Sequence, residues 1–285
     1  GATISLEHGY IRAEADRLHG AEIAFEKKTV TGTENLLMAA ALAKGETILR
    51  NCAREPEVTD LAALLNKMGA KIDWPDEDTA RVRGVKELGG AAHAIIPDRI
   101  ETGTFLVAGA LTSGDFLLRG VVLEHVQNVV DKLRASGAYV EGEGEGALRV
   151  VGGREVRAQD ITTSPYPGFP TDMQAQFMVL LTQAAGTSII TETIFDRRFS
   201  HVNELVRLGA AIEVQGDKAV VKGRTPLSGA EVVATDLRAS AALVLAGLVA
   251  SGETTVTEIE HLDRGYERLE EKLRGLGASI ERVRS

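Results

Sequence analysis

The chain has 285 residues, 44% of them apolar and 4% aromatic, with a net charge of −9 and a single cysteine. That length allows two domains, and the acidic balance argues against a general nucleic-acid binder. One cysteine excludes an intramolecular disulfide and suits a reducing compartment. No apolar run reaches the ~18–20 residues of a membrane helix and no charged-then-apolar leader is present, so no membrane association and a cytoplasmic location are expected.

In chain order, Gly1-Ala2 opens an alternating strand, ATISLE. The segment KKTVTGTENL carries Lys28, Thr29, Val30, Thr31 and Gly32 into an Ala/Leu-rich helix, ENLLMAAALA. Backbone amides at such a helix start can hold phosphate, although the segment is neither a Walker loop nor a dinucleotide fingerprint. Gly45 stops the helix, and a short β-branched strand follows. Cys52, in RNCAREPEV, reads as a small buried residue at a strand end, since no nearby histidine supplies a base. The helix VTDLAALLNKM runs to Gly69-Ala70. Pro97, with Asp98 and Arg99, marks a linker, so domains are expected over residues 1–97 and 98–285.

Further on, FPTDMQAQF sets Asp172 at a helix start, where a carboxylate stabilises the helix by roughly 1 kcal/mol. ETIFDRRFSHV holds Ile194, Arg197 and Arg198 between a strand and a helix. Gly216-Asp217 reads as a hairpin turn. In ATDLRASAAL, Asp236 is an N-cap candidate, while Arg238 opposes the helix dipole and makes better sense beside a bound anion. HLDRGYERLEEKLR puts Arg264 and Gly265 in a loop before a charged helix. The histidines are dispersed, no metal-ligand spacing emerges, and neither metal nor organic cofactor is expected.

A repeat organises these elements. The pairs Gly69-Ala70, Gly137-Ala138, Gly209-Ala210 and Gly277-Ala278 recur about 70 residues apart, each after a helix and before an alternating strand. A second marker, Gly45, Gly114, Gly186 and Gly252, keeps step with them. Each unit reads as helix–strand–helix–hairpin, an α/β repeat too short to bury both faces of its sheet alone. The chain opens in the middle of a unit, and after Gly277-Ala278 the return strand is missing.

The ordered strings REPEVTDL, PDRIETGTFLVA, FPTDMQAQF, ITETIFDRRFSHV, ATDLRASAALVLAG and DRGYERLEEKLRGLGA resemble the enolpyruvyl transferase family over essentially the whole chain. The resemblance implies a two-domain inside-out α/β barrel of six units, with helix N-termini facing an interdomain cleft. It implies transfer of the enolpyruvyl group of phosphoenolpyruvate to the 3-hydroxyl of UDP-N-acetylglucosamine, in peptidoglycan precursor synthesis. By motif, Asp172 would be the general base and Asp236 would assist. Arg238 and Arg264 would clamp phosphoenolpyruvate. Lys28, Thr29, Val30, Thr31, Gly32, Asp172, Ile194 and Arg198 would meet the sugar nucleotide. The repeat period places roughly 130 residues ahead of Gly1, among them the family's cysteine loop, which Cys52 does not match. The chain is therefore expected to be truncated, inactive by itself and complemented by the missing N-terminal segment. The alternatives are a non-catalytic sugar-nucleotide-binding or regulatory relative, and a transferase with another acceptor.

Overall fold

The computed structural model describes residues 1–283. Its described residues divide into two compact units, residues 1–96 with Pro165–Pro167, and residues 97–164 with 168–283.

In the first unit, helices α1 (Val30–Ala41) and α2 (Pro56–Lys67) cover a four-stranded sheet. Its order is Glu22–Ala24, Glu46–Arg50, Ala80–Arg83, Lys71–Asp73, the first pair parallel and the rest antiparallel. Leu37, Leu49, Val58 and Val82 form its fully buried centre. Cys52 is buried there too, with its Sγ 3.4 Å from the Leu49 carbonyl, and burial pushes its thiol pKa up. A separate hairpin, Thr3–Glu7 with Tyr10–Glu14, exposes Ile4, Leu6, Tyr10 and Ile11.

The second unit has inner and outer helices, for a reason visible in their composition. The inner helices α3 (Arg99–Leu111), α5 (Gln174–Thr182) and α7 (Leu237–Gly247) are apolar on nearly every side, and α5 packs against both others. Every residue of α5 is buried; Phe177, Met178, Leu180 and Leu181 each contribute about 1.5–3 kcal/mol of hydrophobic burial. The outer helices are α4 (Leu123–Ala135), α6 (Val202–Arg207) and α8 (Leu269–Gly275). On α4 the buried residues are Val126, Val129, Val130 and Leu133, the single stripe of an amphipathic helix.

Sheets flank the helices. One runs Asp115–Arg119, Ala147–Val151, Tyr139–Gly142; another runs Ile161–Thr162, Thr187–Thr191, Lys218–Lys222, Ala211–Gln215. Two parallel pairs complete them among the described residues, Val156–Arg157 with Ala184–Ala185 and Glu231–Val233 with Thr255–Thr257.

The Gly-Ala repeat is a repeated helix stop. After α2, α4, α6 and α8 the glycine takes φ between +98° and +107°, a conformation strained for other residues. At each, the glycine N–H bonds back three residues and the alanine N–H five: Gly69 to Asn66 and Ala70 to Leu65, Gly137 to Arg134 and Ala138 to Leu133, with the same pair at Gly209 and Gly277. These are four Schellman caps.

Three expectations need correction. Asp98 is the N-cap of α3, accepting from the Ile100 and Glu101 amides, because a side-chain oxygen there satisfies open helix amides; the linker motif is already helix start. In the second marker, Ser113 rather than Gly114 adopts the left-handed conformation, with φ 54°. After Gly277-Ala278, residues 278–283 form no strand, since no return strand is present among the described residues to pair with them.

Candidate active site

The N-terminal ends of the inner helices gather charged side chains in the second unit. A 3-10 turn, Thr171–Met173, leads directly into α5 and carries Asp172. Asp172 caps no helix amide. Its Oδ1 accepts from Arg198 Nη2 at 2.7 Å, and its Oδ2 accepts from Arg238 Nε at 3.0 Å. Arg198 comes from the loop after strand Thr187–Thr191, and Arg238 from the first turn of α7. Burial pushes the Asp172 carboxyl pKa up, but the Arg238 and Arg198 guanidiniums outweigh it and hold the group below the usual carboxylate range.

Arg238 is anchored from behind. Its Nη1 lies 3.4 Å from the hydroxyl of Tyr266, whose ring is fully buried. That hydroxyl also meets Thr104 Oγ1 of α3 at 3.0 Å and Gln176 Nε2 of α5 at 3.4 Å. A buried polar network thus ties all three inner helices to one guanidinium.

Asp236 is the N-cap of α7, with Oδ1 accepting from the amides of Arg238 and Ala239, both at 2.9 Å. Behind it lies His201, 2% exposed, with no partner for Nε2 among the described residues. Burial pushes the His201 pKa down to about 4, with Asp236 opposing and Arg198 reinforcing the shift. Arg264 ends the 3-10 turn Ile259–Arg264, exposed and without an ion pair among the described residues. Gly265 follows in close contact with α7, where a Cβ would sit 3.0 Å from Leu237 Cδ1.

Ile194 is placed by Glu192, which sequence reasoning overlooked. Glu192, 4% exposed, accepts from the amides of Ile194 at 2.8 Å and Phe195 at 3.2 Å. Thr171, His201 and Tyr266 were overlooked as well. The signal for Glu192 and His201 was a polar residue beside a strongly apolar strand or helix; Tyr266 lay two residues from Arg264.

In the first unit, taken by itself, Thr29 caps α1, its Oγ1 accepting from Gly32 N at 3.2 Å. Val30 and Thr31 supply first-turn amides with no acceptor inside the helix. Lys28 Nζ lies 2.9 Å from Asp78 Oδ2 and 3.1 Å from the Cys52 carbonyl. The arrangement offers a cation and open amides, which suits a phosphate.

Among the described residues no cluster of acids, histidines and cysteines could hold a metal ion, and no helix is long and apolar enough to cross a membrane.

Comparisons with known proteins give the family and the fold. The family model described as EPSP synthase (3-phosphoshikimate 1-carboxyvinyltransferase) matches residues 1–273. The chain is 57% identical to UDP-N-acetylglucosamine 1-carboxyvinyltransferase of Koribacter versatilis over 283 residues, 99% of this chain and 65% of that one. It is 60% identical over 287 residues to the protein of the same name in Anaeromyxobacter sp. (strain Fw109-5), covering 100% of this chain and 68% of that one. The chain thus spans about two thirds of these relatives' length. Among solved structures, the enolpyruvyl transferase NikO from Streptomyces tendae superposes with a TM-score of 0.89 at 28% identity, over 99% of this chain and 69% of that one. EPSP synthase from Acinetobacter baumannii, at 19% identity and a TM-score of 0.75, shares the fold.

Proposed function

The chain belongs to the EPSP synthase family of carboxyvinyl (enolpyruvyl) transferases, and from that membership we propose that it serves transfer of the enolpyruvyl group of phosphoenolpyruvate to the 3-hydroxyl of UDP-N-acetylglucosamine, with release of phosphate. The observation that carries the reading is Asp172 held between Arg198 and Arg238.

Asp172 is the base for the sugar hydroxyl. With two cations on it, the carboxylate is a weak proton acceptor in the free chain. An anion that binds Arg238 shares the guanidinium charge, relieves part of that hold, and raises the proton affinity of Asp172 as substrate arrives. The hydroxyl oxygen, giving its proton to Asp172, adds to C2 of phosphoenolpyruvate while C3 takes up a proton from a general acid; the tetrahedral adduct then loses a C3 proton as the C2–O bond to phosphate breaks, which releases phosphate and leaves the enol ether product. Arg238, fixed by Tyr266, and the exposed Arg264 are the guanidiniums for the phosphate and carboxylate of phosphoenolpyruvate. Asp236 assists near the reacting centre while capping α7. Ile194 and Arg198 are assigned to the sugar nucleotide, and in the first unit, taken by itself, Lys28 and the 29–32 turn suit a phosphate. The product is a peptidoglycan precursor, which ties the chain to cell-wall growth, cell shape and division, with its work in the cytoplasm.

The test is phosphate release from phosphoenolpyruvate with UDP-N-acetylglucosamine or shikimate 3-phosphate as acceptor, for the chain alone and with the remaining third of a relative's chain added, alongside calorimetric binding of each acceptor. Release with the sugar nucleotide, lost in Asp172→Asn, supports the reading. Release only with shikimate 3-phosphate overturns the acceptor. Sugar-nucleotide binding with no release, while Asp172→Asn binds equally well, favours a binding protein.

A further inference from the structure

Glu192 directly follows the strand Thr187–Thr191 and is nearly enclosed, and four donors converge on it. Oε1 accepts from Thr163 Oγ1 at 2.9 Å and from the Ile194 and Phe195 amides; Oε2 accepts from Thr171 Oγ1 at 2.8 Å. Thr163 is itself pinned, since its Oγ1 accepts from Thr193 N at 2.8 Å and its carbonyl accepts from Thr193 Oγ1 at 2.6 Å.

We infer that Glu192 is a positioning residue for recognition of the sugar nucleotide: through Thr171 it sets the Arg198 guanidinium against Asp172, and through two amides it holds the loop that presents Ile194 and Arg198. The inference deepens the reading of this site given above and rests on it for the identity of the ligand.

Hydrogen-bond directions carry the inference. A carboxylate only accepts, and a threonine hydroxyl has one proton to give. Thr171 gives its proton to Glu192, so toward Arg198 it can only accept, and Arg198 Nη1 donates to it at 2.5 Å. With Nη1 held there, the planar fork directs Nη2 to Asp172 Oδ1. Every bond in the series Glu192–Thr171–Arg198–Asp172 therefore has a fixed sense. Glutamine at position 192 keeps size and shape. Its carbonyl oxygen faces the three donors of Oε1, which turns its NH₂ toward Thr171. The Thr171 hydroxyl then loses its acceptor and must rotate its proton into the space that Arg198 Nη1 addresses. The loop keeps its anchor while Arg198 loses its seat.

The experiment follows the Asp172 side-chain carboxyl by carbon NMR titration in the free chain. The variants are Glu192→Gln, Arg198→Gln, their double variant, Thr171→Val and Thr171→Ser. Glu192→Gln and Thr171→Val are expected to raise the Asp172 midpoint as Arg198→Gln does, with Thr171→Ser near wild type. The double variant should go no further than Arg198→Gln. In calorimetry, Glu192→Gln should bind UDP-N-acetylglucosamine about tenfold more weakly, with a thermal midpoint close to wild type. An unchanged Asp172 midpoint in Glu192→Gln and Thr171→Val, or additive shifts in the double variant, overturns the inference. Midpoints that move as expected in a wild-type chain that binds no UDP-N-acetylglucosamine support the positioning series and instead overturn the assigned ligand.

Discussion

Arg238 meets Asp172 side-on: its Nε and Nη2 both lie 3.0 Å from the same carboxylate oxygen, Oδ2. Of the two arginines on Asp172, Arg238 exerts the larger charge effect, and Arg198 adds a second cation on the other oxygen. Arg238→Gln and Arg198→Gln are therefore each expected to raise the Asp172 titration midpoint, as read by carbon NMR. The sign follows from a folded pKa held below the unfolded one: the ion triad stabilises the fold above the ordinary carboxylate range, near 4, and loses that contribution as pH falls through the depressed value.

Asp172→Asn keeps the shape of the site and removes the proton acceptor. Phosphate release, measured with the remaining third of a relative's chain added, is expected to fall by about 10²–10⁴-fold, the usual worth of a positioned base. Substrate binding, measured by calorimetry, is expected to change far less than turnover.

His201 gives the fold a pH dependence of its own. Its pKa in the folded chain is about 4, against an ordinary value near 6.5, so the unfolded chain takes up the proton first. Stability from this group is complete above pH ~6.5 and declines as pH falls toward 4, by roughly 3 kcal/mol in all. Urea midpoints at pH 7 and pH 4.5 should differ less in His201→Gln than in wild type.

Asp236 has two separable duties. Asn caps helices about as well as Asp, so Asp236→Asn should leave the thermal midpoint nearly unchanged, whereas Asp236→Ala should cost about 1 kcal/mol. If Asp236 also assists the reaction, Asp236→Asn should lower turnover despite intact stability. The same variant should depress the His201 pKa further, since Asp236 is the group that raises it.

The helix stops predict unequal costs for the same substitution. At Gly209 a Cβ would approach the Pro226 carbonyl at an ordinary 3.4 Å, so Gly209→Ala should cost only the left-handed strain, about 1–2 kcal/mol. At Gly137 the Cβ would come within 3.0 Å of the Glu155 carbonyl oxygen, a backbone atom that does not yield easily. Denaturant unfolding should therefore rank Gly137→Ala as the more destabilising of the two.

The repeat and the helix stops are legible in the amino-acid sequence by itself. A Schellman cap needs only a glycine, the amide after it and the carbonyls three and four residues behind the glycine, so its signature is local and recurs intact at Gly69, Gly137, Gly209 and Gly277. The division of helices into inner and outer is written in composition for the same reason, because α5 is apolar throughout and α4 carries one stripe. Asp236 as an N-cap is likewise a short-range fact. The motif strings and the family resemblance point to Asp172, Arg198 and Arg238, but residue by residue Asp172 has a local explanation at a helix start while Arg238, against the helix dipole, calls for an anion the sequence does not name.

Tertiary structure alone brings them together. Asp172 and Arg238 are 66 residues apart in the chain, and their ion pair exists because two inner helices begin side by side. The same packing selects Glu192, Tyr266 and His201, whose roles depend on which donors and charges burial sets against them. Backbone capping is decided within a few residues, whereas the partners of a buried charge are decided by whatever the fold packs around it.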